Sequence, residues 1–156
     1  ERMAKLDTLA LVQPIFLDYD LHAVESRVGK ELSSTSYAFN TMDKLGIHVS
    51  YGTDAPVENC NPFPNIYCAV TRKDVKGFPE GGFYPEECVD VEQAIDNYTI
   101  GSAYAEFQEN VKGRILPGYY ADLIIIDRDI FTIPVDEIKD IKVELTMVDG
   151  KIVYKK

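Results

Sequence analysis

Long apolar runs and an excess of positive charge are both missing from this sequence. No apolar run in the 156 residues approaches the roughly 18 residues that a membrane-spanning helix needs, so we expect neither a membrane anchor nor a secretory leader. Lysine and arginine number 16 against 26 acidic residues, which gives a formal net charge of -10. A surface of that charge repels both a phosphate backbone and an anionic lipid surface. We therefore expect no nucleic-acid partner and no membrane partner.

Cysteine and histidine are also scarce. The three cysteines, Cys60, Cys68 and Cys88, are odd in number and show no Cys-x-x-Cys spacing, so neither a disulfide framework nor a zinc knuckle is indicated. Reduced thiols of this kind are typical of a cytoplasmic protein. The only histidines are His22 and His48. His22 stands in a predicted loop, where a lone histidine is more often a bystander than a ligand.

The composition that remains is that of an ordinary globular domain. Hydrophobic residues make up 46% of the chain and charged residues 27%. A chain of this length can bury an adequate core as one domain.

A short strand followed by an aspartate is the strongest chemical signal. Residues 47–51 alternate between bulky apolar and polar side chains, which is the pattern of a strand with two unlike faces. Gly52 permits a sharp exit, and Pro56 stops the ladder because it has no N–H group. Asp54 therefore follows the C-terminal end of a strand, where catalytic residues gather in α/β folds. It is a candidate metal ligand or general base. The alternative is that it caps a turn before Ala55-Pro56.

A strand–helix–strand unit leads to that aspartate. Residues 8–12 are a continuous apolar run, which suits a strand buried in a parallel sheet. Residues 15–33 show little periodicity and are predicted to form a long loop. Residues 37–45 keep an apolar stripe at helical spacing, with N-caps offered by Ser33 to Thr35 and a stop at Gly46. The strands on either side of this helix are expected to pair in parallel.

The middle of the chain predicts short helices separated by loops. Residues 66–70 suit a short helix. Asp90 and Gln93 have the spacing of a capping box at the start of the next helix. Gly101 is expected to break that helix, and residues 103–107 form another helical segment.

The final third predicts antiparallel strands. Residues 121–127 read as a strand, and Asp149-Gly150 is a two-residue turn that predicts a β-hairpin. Asp122 is interpreted as a structural residue of the turn into the first of these strands. Three such strands are few for an independent sheet, and two parallel strands cannot close one. We therefore interpret the sequence as the tail of a larger protein.

Five motifs in order resemble the amidohydrolase superfamily, and more narrowly the metal-dependent hydrolases related to N-substituted formamide deformylase and the exoenzyme regulatory protein group. The resemblance runs over essentially the whole chain. The motifs are Gly-Thr-Asp-Ala-Pro-Val at 52–57, Asn-Pro at 61–62, Ala-Val-Thr-Arg at 69–72, segments within 85–105, and Lys-Gly-Arg-Ile with the residues after it at 112–124.

The resemblance implies an α/β fold. Residues 1–112 would be the C-terminal part of a (β/α)₈ TIM barrel, with its seventh and eighth strands drawn from residues 8–54. Residues 113–156 would be part of a flanking β-sandwich. The apolar residues of the second strand would then face the outer helices, and His48 and Ser50 would face the barrel interior. His48 would be a packed, hydrogen-bonded residue.

The resemblance also implies a chemistry. Asp54 matches the aspartate that coordinates a divalent metal, expected to be zinc, or lies beside it, and that passes a proton from the metal-bound water to the leaving nitrogen. The substrate would be a small amide-like molecule. Asn61 and Arg72 follow the last strand and are candidate substrate-binding residues. The alternative for this pair is a turn-forming Asn-Pro and a solvated arginine.

Most of the metal ligands that the resemblance implies are not in this sequence. The family takes them from a His-x-His on the first strand and from later histidines that neither His22 nor His48 matches. A single carboxylate cannot hold zinc, which needs three protein ligands in a catalytic site. We expect these residues alone to be inactive and to hold no cofactor. Because of their uncovered strand edges, we expect them to form a homo-oligomer or a rearranged structure. The alternative function is a non-catalytic amidohydrolase-like scaffold or interaction protein.

Overall fold

The computed structural model describes residues 1–156, in which seven short helices and five strands follow one another. The helices are α1 (Arg2–Lys5), α2 (Leu17–Asp20), α3 (Val24–Ser33), α4 (Phe39–Lys44), α5 (Pro62–Thr71), α6 (Val91–Tyr98) and α7 (Ile100–Ala105). The strands are β1 (Ala10–Val12), β2 (Val49–Tyr51), β3 (Leu123–Ile126), β4 (Val143–Val148) and β5 (Lys151–Lys155). Three 3₁₀ turns cover Pro14–Phe16, Pro85–Glu87 and Val135–Asp140.

Strands β1 and β2 pair in parallel, as predicted. Ala10 lies opposite Val49 and Val12 lies opposite Tyr51. All three residues of β2 are buried, because helices cover the faces of this small sheet. The strand–helix–strand prediction is therefore confirmed for this part of the chain.

The segment between the two strands is more helical than predicted. The sequence predicts a loop over residues 15–33, and that prediction is wrong, because both α2 and α3 lie there. Helix α3 is kinked at Gly29, whose φ of 79° lies in the left-handed region. The predicted N-caps at residues 33–35 are also wrong. Ser33 instead ends α3, with its hydroxyl donating to the Gly29 and Lys30 carbonyls, and α4 begins later, at Phe39.

The capping prediction for α6 is half right. The Asp90 carboxylate accepts a hydrogen bond from the Gln93 N–H at 2.7 Å. The Gln93 side chain does not return a bond to Asp90, since its amide donates to Asn97 instead. The break comes at Thr99 rather than at Gly101, which lies inside α7.

The C-terminal strands form an antiparallel sheet in the order β3–β4–β5. Asp149 and Gly150 both have positive φ, 48° and 73°, so the predicted hairpin turn is confirmed. The Asp122 carboxylate accepts a hydrogen bond from the Asp149 N–H at 2.7 Å, which supports the structural role expected of it.

One apolar core joins the helical part of the chain to the C-terminal part. Ile130, Ile138 and Ile141 belong to the same buried cluster as Phe63 and Tyr67 of α5. The sheet itself is far less buried, and Ile124, Ile125, Ile152, Val153 and Tyr154 are exposed. The mixed α/β architecture is as expected. The closed barrel and the β-sandwich, and the division at residue 113, remain predictions, because this chain holds one parallel pair and one three-stranded sheet.

No helix of the structure has both the length and the apolar character needed to cross a bilayer.

The packing of α7 on β2 leaves no room for a side chain at Gly101. A Cβ atom there would lie 2.1 Å from the Val49 carbonyl oxygen, which belongs to the sheet backbone and cannot move freely. We predict that Gly101→Ala lowers the free energy of unfolding by roughly 3 kcal/mol through overpacking. Urea unfolding followed by circular dichroism measures the change.

Gly52→Ala is the matched control for this prediction. A Cβ at Gly52 meets nothing within 4 Å, so its cost should stay below about 1 kcal/mol. Equal destabilisation by the two substitutions would contradict a specific clash between α7 and β2.

Candidate functional site

Asp54 stands in the loop that leaves β2, and its side chain is exposed. Its φ of 55° is left-handed, a conformation that aspartate tolerates better than most residues. Its carbonyl oxygen accepts a hydrogen bond from the Val57 N–H at 2.8 Å, which closes a turn. The residue before it, Thr53, is buried. The carboxylate is therefore presented to solvent at the C-terminal end of a parallel strand. Both sequence interpretations, the turn and the functional carboxylate, are compatible with this geometry.

Asn61 is the N-cap of α5. Its side-chain oxygen accepts from the Phe63 N–H at 3.2 Å, while its own N–H donates to the Asn59 side chain at 2.9 Å. Asn61 also lines a groove of about 620 Å³ between the loop before α5 and the C-terminal sheet, with Ile124 and Tyr154 on the other wall. Asp54 does not line this groove.

Arg72 lies at the other end of α5 and is fully buried. Ten helical residues at about 1.5 Å each separate the ends of α5 by roughly 15 Å, so Arg72 is remote from Asn61. Its guanidinium donates to three carbonyl oxygens, those of Phe83, Tyr37 at 2.6 Å and Ser36 at 3.3 Å. The Phe39 ring centroid lies 5.6 Å from the guanidinium carbon. Burial lowers the pKa of Arg72. The solvated arginine considered from the sequence is wrong, and its substrate contact remains a prediction.

The contacts of Arg72 identify it as a clamp between two loops. Arg72→Ala would remove the guanidinium donor from all three carbonyl oxygens, of which that of Tyr37 keeps a bond from the Phe39 N–H. We predict a loss of about 3 kcal/mol in the free energy of unfolding. Arg27→Ala is the control, because Arg27 is exposed, and its cost should be about 0.5 kcal/mol or less. Denaturant unfolding of the two variants compares them, and similar stabilities would contradict the clamp.

The two histidines differ in their surroundings. His22 Nε2 lies 3.0 Å from the Asp74 carboxylate, and the ring stacks on Phe78. Burial raises the pKa of Asp74, but the Phe78 N–H and the His22 ring bond to its ionised form, and the pKa ends below its usual range. His48 is exposed and stacks on Tyr104 with ring centroids 4.0 Å apart. The packed, hydrogen-bonded His48 expected from the sequence is therefore wrong.

Asn65 is a functional candidate that the sequence reasoning missed. It is fully buried and bonds to residues at the exits of both β1 and β2. The only signal in the sequence is one amide within the otherwise apolar stretch of α5.

The residues of this chain do not by themselves fit a metal ion. No group of three or more His, Cys, Asp or Glu side chains is placed to hold one. Asp54 could supply one oxygen, and a zinc site needs three protein ligands. A metal-dependent step would need ligands from outside this chain.

A buried polar cluster lies between β2 and the helices α4 and α6. Asp43 Oδ2, the Tyr51 hydroxyl and Asn97 Nδ2 are all buried without a hydrogen-bond partner. Burial raises the pKa of Asp43 from 3.8 to about 6. The nearby Asn97 amide lowers this pKa in part, and the negative charge of Asp90 raises it further. Burial likewise raises the pKa of Tyr51. These groups join α4, β2 and α6, and their ionisation is linked to stability.

The raised pKa of Asp43 predicts a pH-dependent stability. The folded state holds this proton up to about pH 6, whereas the unfolded state releases it near pH 3.8. Stability should therefore fall as the pH rises between these values and level off above them. Asp43→Asn should remove that slope and stabilise the fold at pH 7 by about 1 kcal/mol, since the half-buried carboxylate stays partly solvated.

Urea unfolding between pH 4 and pH 7 measures this effect. Glu92→Gln, an exposed residue of α6, is the control and should keep the slope of the unmodified chain. An unchanged slope in Asp43→Asn would show that another group is responsible.

Comparison with known proteins gives one family. The model of the amidohydrolase family matches residues 1–154 of this chain.

Curated relatives cover the chain almost completely but are much longer. The chain is 34% identical over 156 residues to YtcJ of Bacillus subtilis (strain 168), an amidohydrolase by name, with 100% of this chain and 30% of that protein covered. It is 30% identical over 120 residues to N-substituted formamide deformylase of Arthrobacter pascens, covering 77% of this chain and 22% of that protein. It is 31% identical over 157 residues to Protein LONG AFTER FAR-RED 3 of Arabidopsis thaliana, covering 98% of this chain and 26% of that protein. The chain thus spans 30% or less of the length of these relatives.

Solved structures agree with this grouping. An uncharacterised metal-dependent hydrolase from Pyrococcus horikoshii OT3 superposes with a TM-score of 0.73 at 30% identity, over 86% of this chain and 27% of that one. A second, from Pyrococcus furiosus, gives a TM-score of 0.64 at 28% identity, over 77% and 23%.

Proposed function

Because this chain belongs to the amidohydrolase family, we propose that it is the C-terminal part of a metal-dependent hydrolase that cleaves amide-like carbon–nitrogen bonds in small molecules. The family match over residues 1–154 and the metal-dependent hydrolases among the solved structures support this proposal. The name of the Arthrobacter relative, a deformylase of N-substituted formamides, supports the bond type. The parent protein is proposed to be a cytoplasmic homo-oligomer.

The observation that carries the proposal is the position of Asp54. Its carboxylate is exposed just beyond the C-terminal end of β2, at the face where (β/α)₈ enzymes assemble their active sites. We assign to Asp54 the roles of metal ligand and general base in the complete enzyme. Together with ligands from outside this chain, Asp54 would hold a divalent metal, which we propose to be zinc, and the metal would supply an acidified water molecule. The Asp54 carboxylate would be the base at that site.

The two proposed substrate contacts differ in how they could act. Asn61 lines an open groove, so a substrate can reach its side chain without a change of structure. Arg72 is buried, and its guanidinium is occupied by loop carbonyls. We propose that Asn61 contacts substrate directly and that Arg72 does so only if its loop opens.

The isolated chain should not hold a metal tightly. We predict that isothermal titration with zinc gives a dissociation constant weaker than about 10 μM, because one carboxylate supplies too few ligands. Asp54→Asn should leave that titration unchanged. Submicromolar binding that Asp54→Asn abolishes would contradict the prediction.

The parent protein tests the catalytic role. In an assay with a panel of N-alkylformamides, Asp54→Asn should lower kcat by about 10² or more through the loss of the base. Glu58→Gln, in the same loop, is the control and should keep kcat. A metal-loaded parent whose kcat is unchanged in Asp54→Asn would support the scaffold interpretation instead.

A further inference from the structure

We propose that Asn65 is a positioning residue, which ties the exits of β1 and β2 together and so sets the backbone that carries Asp54. This inference rests on the function proposed for Asp54 and adds a second residue to it. Asn65 lies in the first half of α5 and is not near enough in sequence to either strand to act through local structure. Its effect comes from three hydrogen bonds.

The burial of Asn65 is unusual for an amide. Its side chain is 0% exposed, and its neighbours along α5, Phe63, Ile66 and Tyr67, are core residues. A buried amide without partners destabilises a fold, so its retention requires that each polar atom be satisfied. The structure meets this requirement with groups from three separate elements.

Each end of the Asn65 amide has a partner of the matching kind. Oδ1 accepts from the Ile15 N–H, just beyond β1. Nδ2 donates to the Gly52 carbonyl at 3.1 Å, just beyond β2, and to the Tyr98 hydroxyl of α6. A backbone N–H can only donate and a backbone carbonyl can only accept. The orientation of the amide is therefore determined by its partners. In the flipped orientation the amide would lose its hydrogen bonds to both Ile15 and Gly52.

The bond to Gly52 acts on the segment that holds Asp54. The Gly52 N–H already donates to the Val12 carbonyl at 3.1 Å, which extends the pairing of the two strands. With its carbonyl bound to Asn65, both backbone polar groups of Gly52 are held. Asp54 follows two residues later, where the Val57 N–H closes the turn. Glycine has no side chain to restrict its backbone, so these bonds limit the directions that Asp54 can take.

No other common side chain reproduces this pattern at the same size. Aspartate keeps the acceptor for Ile15 but has no hydrogen to give Gly52. Leucine has a similar volume but can bond to neither the Ile15 N–H nor the Gly52 carbonyl. Serine is too short to span both. Asn65→Asp and Asn65→Ser therefore separate the polar role of Asn65 from its packing.

Hydrogen exchange of the 156-residue chain, measured by NMR, tests directly whether Asn65 holds the two strand ends together. Asn65→Asp and Asn65→Ser should speed exchange of the Gly52 and Val57 amides by about tenfold or more relative to the amides of the β4–β5 hairpin. Ser33→Ala is the matched control, because Ser33 is as buried but its hydroxyl bonds to Gly29 and Lys30 within α3 and to Tyr84. It should leave that ratio within about twofold.

The comparison within one molecule separates positioning from overall stability. Acceleration of all amides by one factor in the Asn65 variants would overturn the proposal, since Asn65 would then be only a stabilising residue. Equal local acceleration in Ser33→Ala would overturn it as well. Should Asn65→Ser fail to fold, Asn65→Asp still decides the outcome, because it keeps the size of the side chain and its bond to Ile15.

Kinetics of the parent protein distinguish this inference from the function on which it rests. On the N-alkylformamide panel, Asn65→Asp should lower kcat by about tenfold or more with little change in KM, and Ser33→Ala should keep both. A fall in KM and kcat together, or no change in kcat, would overturn the positioning role. If Asp54→Asn keeps kcat while the exchange result holds, Asn65 still holds the ends of β1 and β2 together, but the catalytic role of Asp54 is wrong.

Discussion

Burial of α5 is the constraint on which the rest of this structure depends. Seven of its ten residues are buried, and a helix that is apolar on nearly all sides must be surrounded by other elements. The strand exits lie on one side of it and the 3₁₀ turn Val135–Asp140 on another. The helix therefore joins the two sheets of the chain, which share no strand pairing with each other.

The residues of interest for function are arranged along this helix. Asn61 begins it, Asn65 lies within it and Arg72 ends it. Asn61 caps the helix itself, whereas Asn65 bonds to the Gly52 carbonyl after β2 and Arg72 bonds to the Phe83 carbonyl in a loop. Asp54 is held only through its backbone. Its carboxylate is exposed, as the role that we propose for it requires.

Several parts of this arrangement could be predicted because their causes are local. The Asp149-Gly150 turn needs two positive φ values, which these residues adopt readily. The apolar run at residues 8–12 and the alternation at 47–51 indicated strands, and the helix between them implied parallel pairing. Helix α3 was missed because its amphipathic pattern is interrupted at Gly29, where the backbone leaves the helical region. The role of Asn65 was missed because its partners are 50 and 13 residues away in sequence.

The amino-acid sequence alone determined the family, the parallel pairing of two strands, the hairpin and the aspartate after β2, because each depends on neighbouring residues or on motifs. Tertiary structure decided that Arg72 is buried between two loops, that His48 lies at the surface and that Asn65 joins both strand exits. Those outcomes depend on which distant groups meet in the folded chain. A buried polar atom takes its role from the partner it finds there, and no local pattern specifies that partner.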